Sequence, residues 1–268
     1  MSTPTEEEMI EALPDIIPDV VKIVYEYVGR PFIIKAKYAI SFTFSAIKLL
    51  VIDGCVEYIP DPNSDSNRSP NLEPITGVST YIFKDNLEHT IYIYGASGLS
   101  FENNCPIEIV QWGDYEMTKG YRIFAGCAGI LITATDSPNI KTKSMAYMFA
   151  GTINIRGNLN WNTMWVTDMS HMFYECENFN EDISDWNTGS VGTMNSMFSG
   201  CIKFDADLSR WDTKNVYDID LMFEGCFNFK RDLSAWDTRK MSTMDKTFYG
   251  CIGMFNNPNR RPKLLMKS

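Results

Sequence analysis

Between Trp161 and Cys251 the apolar positions repeat every 25 residues. Trp161, Trp186, Trp211 and Trp236 keep that spacing, as do Phe173, Phe198, Phe223 and Phe248, and Cys176, Cys201, Cys226 and Cys251. Self-similarity at a fixed period of this length marks stacked repeats, each burying its apolar side against its neighbours. Within one copy Val191, Met194, Met197 and Phe198 fall on one stripe of a helix, and Asn187 or Thr188 stands where a helix cap belongs. The segment Phe204 to Ser209, repeated at Phe229 to Ser234, predicts a short strand with Leu208 and Leu233 pointing inward. The expectation is an α/β solenoid of leucine-rich-repeat type. About six turns would end at Phe124, Phe149, Phe173, Phe198, Phe223 and Phe248, each with a short helix and a short strand in a stacked parallel sheet.

Upstream the patterning changes. Leu13, Ile16, Ile17, Val20 and Val24 share a face at helical spacing, and Gly29 and Pro31 end it, so 1–31 reads as an N-terminal helical segment. Residues 32–59 alternate apolar and polar positions, with Asp53-Gly54 as a two-residue hairpin signal, and form a small β element. Residues 60–78 are rich in Pro, Ser, Asn and Asp and read as a flexible loop or linker. Thr80–Phe83 and Thr90–Tyr94 predict two strands leading into the repeats, which span 79–255, and a basic tail occupies 256–268. There, Leu264 and Leu265 could pack over the open last turn, or the tail's charge could meet an acidic partner.

The net charge of −10 argues against nucleic acid as a partner, and no apolar run approaches a membrane span. The acidic start lacks a basic leader followed by an apolar stretch, so an intracellular chain is expected. The cysteines show no Cys-x-x-Cys pair, and His89 and His171 are the only histidines, which excludes a zinc-type ligand set. Cys127, Cys176, Cys201, Cys226 and Cys251 each follow a repeat phenylalanine by three, and Thr152 takes that place after Phe149. The position therefore selects a small, half-apolar side chain for a tight interior. Stacked thiols could come within bridging range, whereas a reducing compartment would keep them free.

The strings Met169-Ser-His-Met172-Phe173-Tyr-Glu-Cys176 and Phe179-Asn-Glu-Asp182-Ile183-Ser184-Asp-Trp186-Asn187-Thr188 resemble the BspA-family leucine-rich-repeat proteins. Gln111-Trp112-Gly113-Asp114 and Ala134-Thr-Asp136-Ser-Pro138 resemble that family's lead-in, so the likeness covers about 79–255. It implies a non-catalytic binding or adhesion repeat, found on bacterial and protist surfaces and in large DNA viruses. This chain shows no leader, lipid-anchor cysteine or wall-anchoring tail, so an intracellular or virion-associated role is expected in place of a surface adhesin. Leu13-Pro14, Val20, Ile23-Val24 and Tyr27-Val28 resemble the opening of an F-box. That likeness implies docking on a ubiquitin-ligase adaptor through Leu13, Ile16, Ile17, Val20 and Val24, with the repeats selecting the target. The alternative for the same helix is a structural cap.

No nucleophile–base pair or glycine-rich phosphate loop is written in the chain, and no cofactor is implied. The ladders Asp182/Asp207/Asp232 and Ser184/Ser209/Ser234, with the tryptophans, are either a repeated ligand surface or turn and edge structure. Residues that vary between copies carry specificity better: Asp185, Arg210 and Ala235, and Gly189-Ser190 against Lys214-Asn215 and Arg239-Lys240. The expected partner is a protein bound through Asp185, Arg210, Lys214, Arg239 and Lys240, with self-association through an uncovered last turn as a further possibility.

Overall fold

The computed structural model describes residues 32–37, 39–47, 49–52, 55–56, 75–82, 88–94, 99–101 and 106–263. The alternating segments at its start become strands: β1 (Phe32–Lys37), β2 (Ala39–Ile47), β3 (Leu49–Ile52), β4 (Cys55–Val56), β5 (Ile75–Ile82), β6 (Glu88–Tyr94) and β7 (Ser100–Phe101). β8 (Ile107–Gln111), β9 (Glu116–Met117), β10 (Ile130–Ile132), β11 (Asn139–Ile140) and β12 (Ile155–Gly157) follow. A seven-stranded mixed sheet runs β12-β10-β8-β1-β6-β3-β4, with a three-stranded sheet β5-β2-β7 and a pair β11-β9. β3 and β4 pair antiparallel on either side of Asp53-Gly54. β5 and β6, consecutive along the chain, enter different sheets. β1 also pairs antiparallel with β8, so strands of the small β element and of the repeats share one sheet.

In the parallel arm of this sheet the step from β10 to β12 already keeps the 25-residue repeat, while the step from β8 to β10 is 23 residues. Ile107, Ile130 and Ile155 lie in one register across β8, β10 and β12, and all three are buried. The arm stops at Gly157, whose φ of 106° places a would-be Cβ 2.1 Å from the Ile132 carbonyl oxygen. Only glycine can lie there. Glu181 closes the edge by accepting the Gly157 N–H at 3.1 Å and pairing with Arg156 at 3.1 Å.

From there on the α/β solenoid expectation fails. Among the described residues the only α-helix is α1 (Ile252–Phe255), four residues long, and the repeats contain neither a helix nor a strand each. The stripe Val191, Met194, Met197 and Phe198 is buried as expected, but on a chain of tight turns. Two residues per copy explain the difference. Arg122, Tyr147, His171, Ser196, Leu221 and Lys246 have φ between 49° and 58°, and four residues later Gly126, Gly151, Glu175, Gly200, Gly225 and Gly250 are also left-handed. A left-handed residue every fourth position cannot continue a right-handed helix.

Backbone hydrogen bonds then follow an alternating rule. Met172, Tyr174 and Cys176 donate to carbonyls three residues back, closing turns. Met169, His171, Phe173 and Glu175 donate to Thr193, Asn195, Met197 and Ser199 of the next copy, at 2.8–3.1 Å. The rule recurs, with Ser196, Phe198 and Gly200 donating to Asp220, Met222 and Glu224, and Leu221, Phe223 and Gly225 to Asp245, Thr247 and Tyr249. Adjacent copies thus meet through single parallel bridges, Ser144–Asp168–Thr193–Asp218–Thr243, in place of a continuous sheet. The predicted strand at Phe204–Ser209 is likewise a turn, with Asp207 Oδ1 accepting the Ser209 N–H at 2.9 Å; Asp182 and Asp232 do the same for Ser184 and Ser234.

Side-chain ladders fill the interior. Phe101, Phe124, Phe149, Phe173, Phe198, Phe223 and Phe248 stack in one column, with centroids 5.3–5.7 Å apart. A second column, Phe179–Phe204–Phe229, lies against it, Phe173 and Phe179 being 3.9 Å apart. Offset stacking adds about 0.5–1.5 kcal/mol per pair beyond burial. Trp186, Trp211 and Trp236 are buried, and each indole N–H donates to a carbonyl one copy back, at Leu159, Ile183 and Leu208. Cys127, Cys176, Cys201, Cys226 and Cys251 are free, buried thiols. Cys176, Cys201 and Cys226 point their Sγ at the carbonyls of Phe149, Phe173 and Phe198, at 2.9–3.0 Å. Thr152 Oγ1 donates to Phe124 O at 2.7 Å in the same place, so the position asks for a small side chain that can donate.

Candidate binding ridge

One loop per copy carries the surface that varies. Asn162, Asn187, Asp212 and Asp237 use a side-chain oxygen to accept the N–H two residues on, at Met164, Gly189, Lys214 and Arg239 (3.0–3.2 Å). Asn187 thus caps a turn and not the helix its position suggests. The next residue is a buried threonine whose hydroxyl reaches the following copy: Thr163 to Asn187 O, Thr188 to Asp212 O and Thr213 to Asp237 O, at 3.0–3.1 Å. With Asx and Thr fixed by the scaffold, the two residues after them stand outward without a packing duty. They read Met164-Trp165, Gly189-Ser190, Lys214-Asn215 and Arg239-Lys240.

These pairs form a continuous ridge. Ser190 Oγ donates to Met164 O at 2.7 Å, Asn215 Nδ2 to Gly189 O at 2.7 Å, and Lys240 Nζ to Asn215 Oδ1 at 2.6 Å. At one end Trp165 is 64% exposed. At the other, Lys214 pairs with Asp212 and Arg239 makes a two-pronged contact with Asp237, through Nε at 3.0 Å to both oxygens. The Lys214 ammonium holds the Asp212 carboxyl below its usual range, and hydrogen bonds from Arg239 bring Asp237 down to about 2. The ridge therefore grades from apolar and aromatic to ion-paired, and copies 25 residues apart occupy adjacent steps.

Of the expected contact residues, Lys214, Arg239 and Lys240 lie on this ridge. Asp185 and Arg210 lie on a neighbouring turn and pair with each other there, Arg210 also donating to Ser184 Oγ at 3.0 Å. Leu13, Ile16, Ile17, Val20 and Val24 fall outside the described residues, as do Leu264 and Leu265. Sequence reading missed Trp165 and Tyr217, the latter 51% exposed and lying over Gly192, where a Cβ would meet its ring at 2.7 Å. The signal was present: Trp165 is a tryptophan out of phase with the 25-residue ladder.

His171 is half-buried and stacked on Tyr147 at 4.3 Å. Burial pulls its imidazole below the usual value, against the opposing pull of Asp168 and Asp218. Burial pushes the Cys176, Cys201 and Cys226 thiols up, which makes them poor nucleophiles. Among the described residues no group of His, Cys, Asp and Glu is arranged to hold a metal ion, and no helix is long and apolar enough to cross a membrane.

A search of curated proteins and a search of solved structures gave no significant match. Residues 143–260, the copies that carry the ridge, match the family model described as "Mycoplasma protein of unknown function, DUF285", in keeping with repeats of the BspA-like kind.

Proposed function

We propose that this chain is a non-catalytic protein-binding repeat module of the BspA-like type, working as a scaffold, and that the ridge from Trp165 to Lys240 is its contact surface. The observation that carries the reading is Trp165. A tryptophan left largely in water serves no packing purpose, and tryptophan is among the residues that anchor interfaces most strongly. Next to it, Lys214, Arg239 and Lys240 supply charge that orients a partner more than it adds affinity. Buried thiols without a disulfide partner suit a reducing compartment, which supports an intracellular setting.

The test is affinity purification from the native source with three proteins: the unaltered chain, Trp165→Ala, and Lys214→Glu/Arg239→Glu/Lys240→Glu. Proteins that co-purify with the unaltered chain should be lost with Trp165→Ala and weakened with the charge reversal, at unchanged thermal stability. The same set of proteins recovered with all three would place the contact elsewhere.

A further inference from the structure

One outer side of the turn stack is charged unevenly along its length. In the third copy this side is the segment 167–175, which buries Met169, Met172 and Phe173 and turns its other residues outward. The equivalent segments of the first two copies, 118–126 and 143–151, hold Lys119, Arg122 and Lys143 and no carboxylate. The third copy holds Asp168 and Glu175, and the fourth, 192–200, holds no charge. The fifth, 217–225, has Asp218, Asp220 and Glu224 without a cation, and in the sixth, 242–250, Asp245 and Lys246 offset each other. Cations and carboxylates thus stand on different copies.

These charges are held in place without being neutralised by one another. The Arg122 guanidinium lies over the Tyr121 and Tyr147 rings, at 5.9 and 5.7 Å, and has no ion pair among the described residues. Tyr121 itself is 58% exposed. On the fifth copy neutral donors fix the carboxylates: Asp218 accepts the Asp220 N–H at 3.0 Å, Asp220 accepts Thr243 Oγ1 at 2.6 Å, and Glu224 accepts Ser199 Oγ at 3.2 Å. An arginine set on aromatic rings and a row of fixed carboxylates are both ordered before any partner arrives.

We infer that this side is a self-complementary interface, on which a second copy of the chain binds face to face and antiparallel. A symmetric dimer must put one and the same patch on both partners. A two-fold axis running along the stack would set each copy on its own equivalent, like charge on like. An axis lying across the stack at the third copy reverses the order, so the first copy meets the fifth and the second meets the fourth. Each residue column then faces itself: Lys119 comes opposite Asp218, and Arg122 opposite Leu221, between Asp220 and Glu224. The cost falls at the axis, where Asp168 and Glu175 meet their own equivalents. Asp168 is already taken up by Ser144 Oγ and the Ser170 N–H, at 2.8 and 2.9 Å. Against this single repulsive layer stand two layers in which a pair of cations meets three carboxylates, so attraction wins. The five overlapping copies present roughly 25 outward residues from each chain, as many as a stable interface uses.

Analytical ultracentrifugation of the full chain tests this. The unaltered chain should be a dimer that loosens roughly tenfold as salt rises toward about 1 M, where the screening length falls to about 3 Å. Arg122→Glu/Lys143→Glu should sediment as a monomer. So should Asp218→Lys/Glu224→Lys, which leaves Asp220 on Thr243 and puts lysine where the first copy has Lys119. Mixed in equal amounts, the two monomeric variants should form a one-to-one dimer, because each offers the sign that the other lacks. Trp165→Ala should dimerise like the unaltered chain, which separates this face from the ridge. If a double variant does not fold, Lys143→Glu and Glu224→Lys repeat the comparison at smaller amplitude. A chain that stays monomeric at every concentration, a dimer untouched by either reversal, or two folded variants that remain monomeric when mixed overturns the inference.

Discussion

The sheet arm β8-β10-β12 and the turn stack that follows it both set successive segments side by side in parallel, yet their backbones differ. In the arm, Ile107, Ile130 and Ile155 stand on extended chain, and whole segments pair. In the stack, copies such as Met169–Cys176 and Met194–Cys201 touch through alternate N–H groups, because left-handed residues at His171, Glu175, Ser196 and Gly200 turn the chain back within each copy. The period fixes which residues stack. The local handedness of a few positions decides whether they stack as strands or as turns.

The largest expected effect lies in the ring column of the stack. Phe198→Ala removes a ring held between Phe173 and Phe223, and should cost about 3–5 kcal/mol by urea denaturation. A loss as small as that of a surface change would mean that the column is not the stack's core. Next comes the handedness itself. Gly200 has φ 80°, and a Cβ there would lie 3.2 Å from the Glu175 Cα, so Gly200→Ala should cost about 1–2 kcal/mol. Its mirror is Glu175→Gly, which gives this copy the glycine its neighbours have; thermal melting should show a gain of about 0.5–1 kcal/mol. A glycine that destabilised the chain here would break the account of why the copies are not helical.

The thiol ladder gives a similar but smaller step. Cys201→Val keeps volume but loses the donor to Phe173 O and should cost about 1 kcal/mol. Cys201→Thr keeps a donor, as Thr152 does, and should cost less than Cys201→Val in the same denaturation series. The smallest effect is at the surface. Asp237 is held at about 2 by Arg239, below the ordinary carboxylate value, so its contribution is present above that ordinary value and fades as pH falls toward 2. Acid unfolding of Asp237→Asn should show a slightly flatter limb in that window than the unaltered chain.

Much of this was legible in the residues. The 25-residue period, the buried Phe, Trp and Cys ladders and the strands on either side of Asp53-Gly54 follow from spacing and turn chemistry. The missing helices do not. Met194, Met197 and Phe198 fit a helical stripe equally well on a helix or on two stacked turns, because both bring residues three or four apart to one side. The Gly-Cys pairs at Gly200, Gly225 and Gly250 were a visible sign of left-handed chain. His171, Ser196 and Leu221 gave none, since the hydrogen bonds to the next copy hold them there. On the ridge, variation between copies pointed to Lys214, Arg239 and Lys240, while Trp165, out of phase with the tryptophan ladder, has no counterpart in the other copies to mark it.

Because every copy donates to its successor through the same few N–H groups, one unit can be inserted or removed without altering the joints on either side. Each added unit would carry the last face forward by about 4.8 Å, the spacing of hydrogen-bonded neighbours. Copy number in such a chain is a length gauge, setting the distance between whatever the first end and the last end hold.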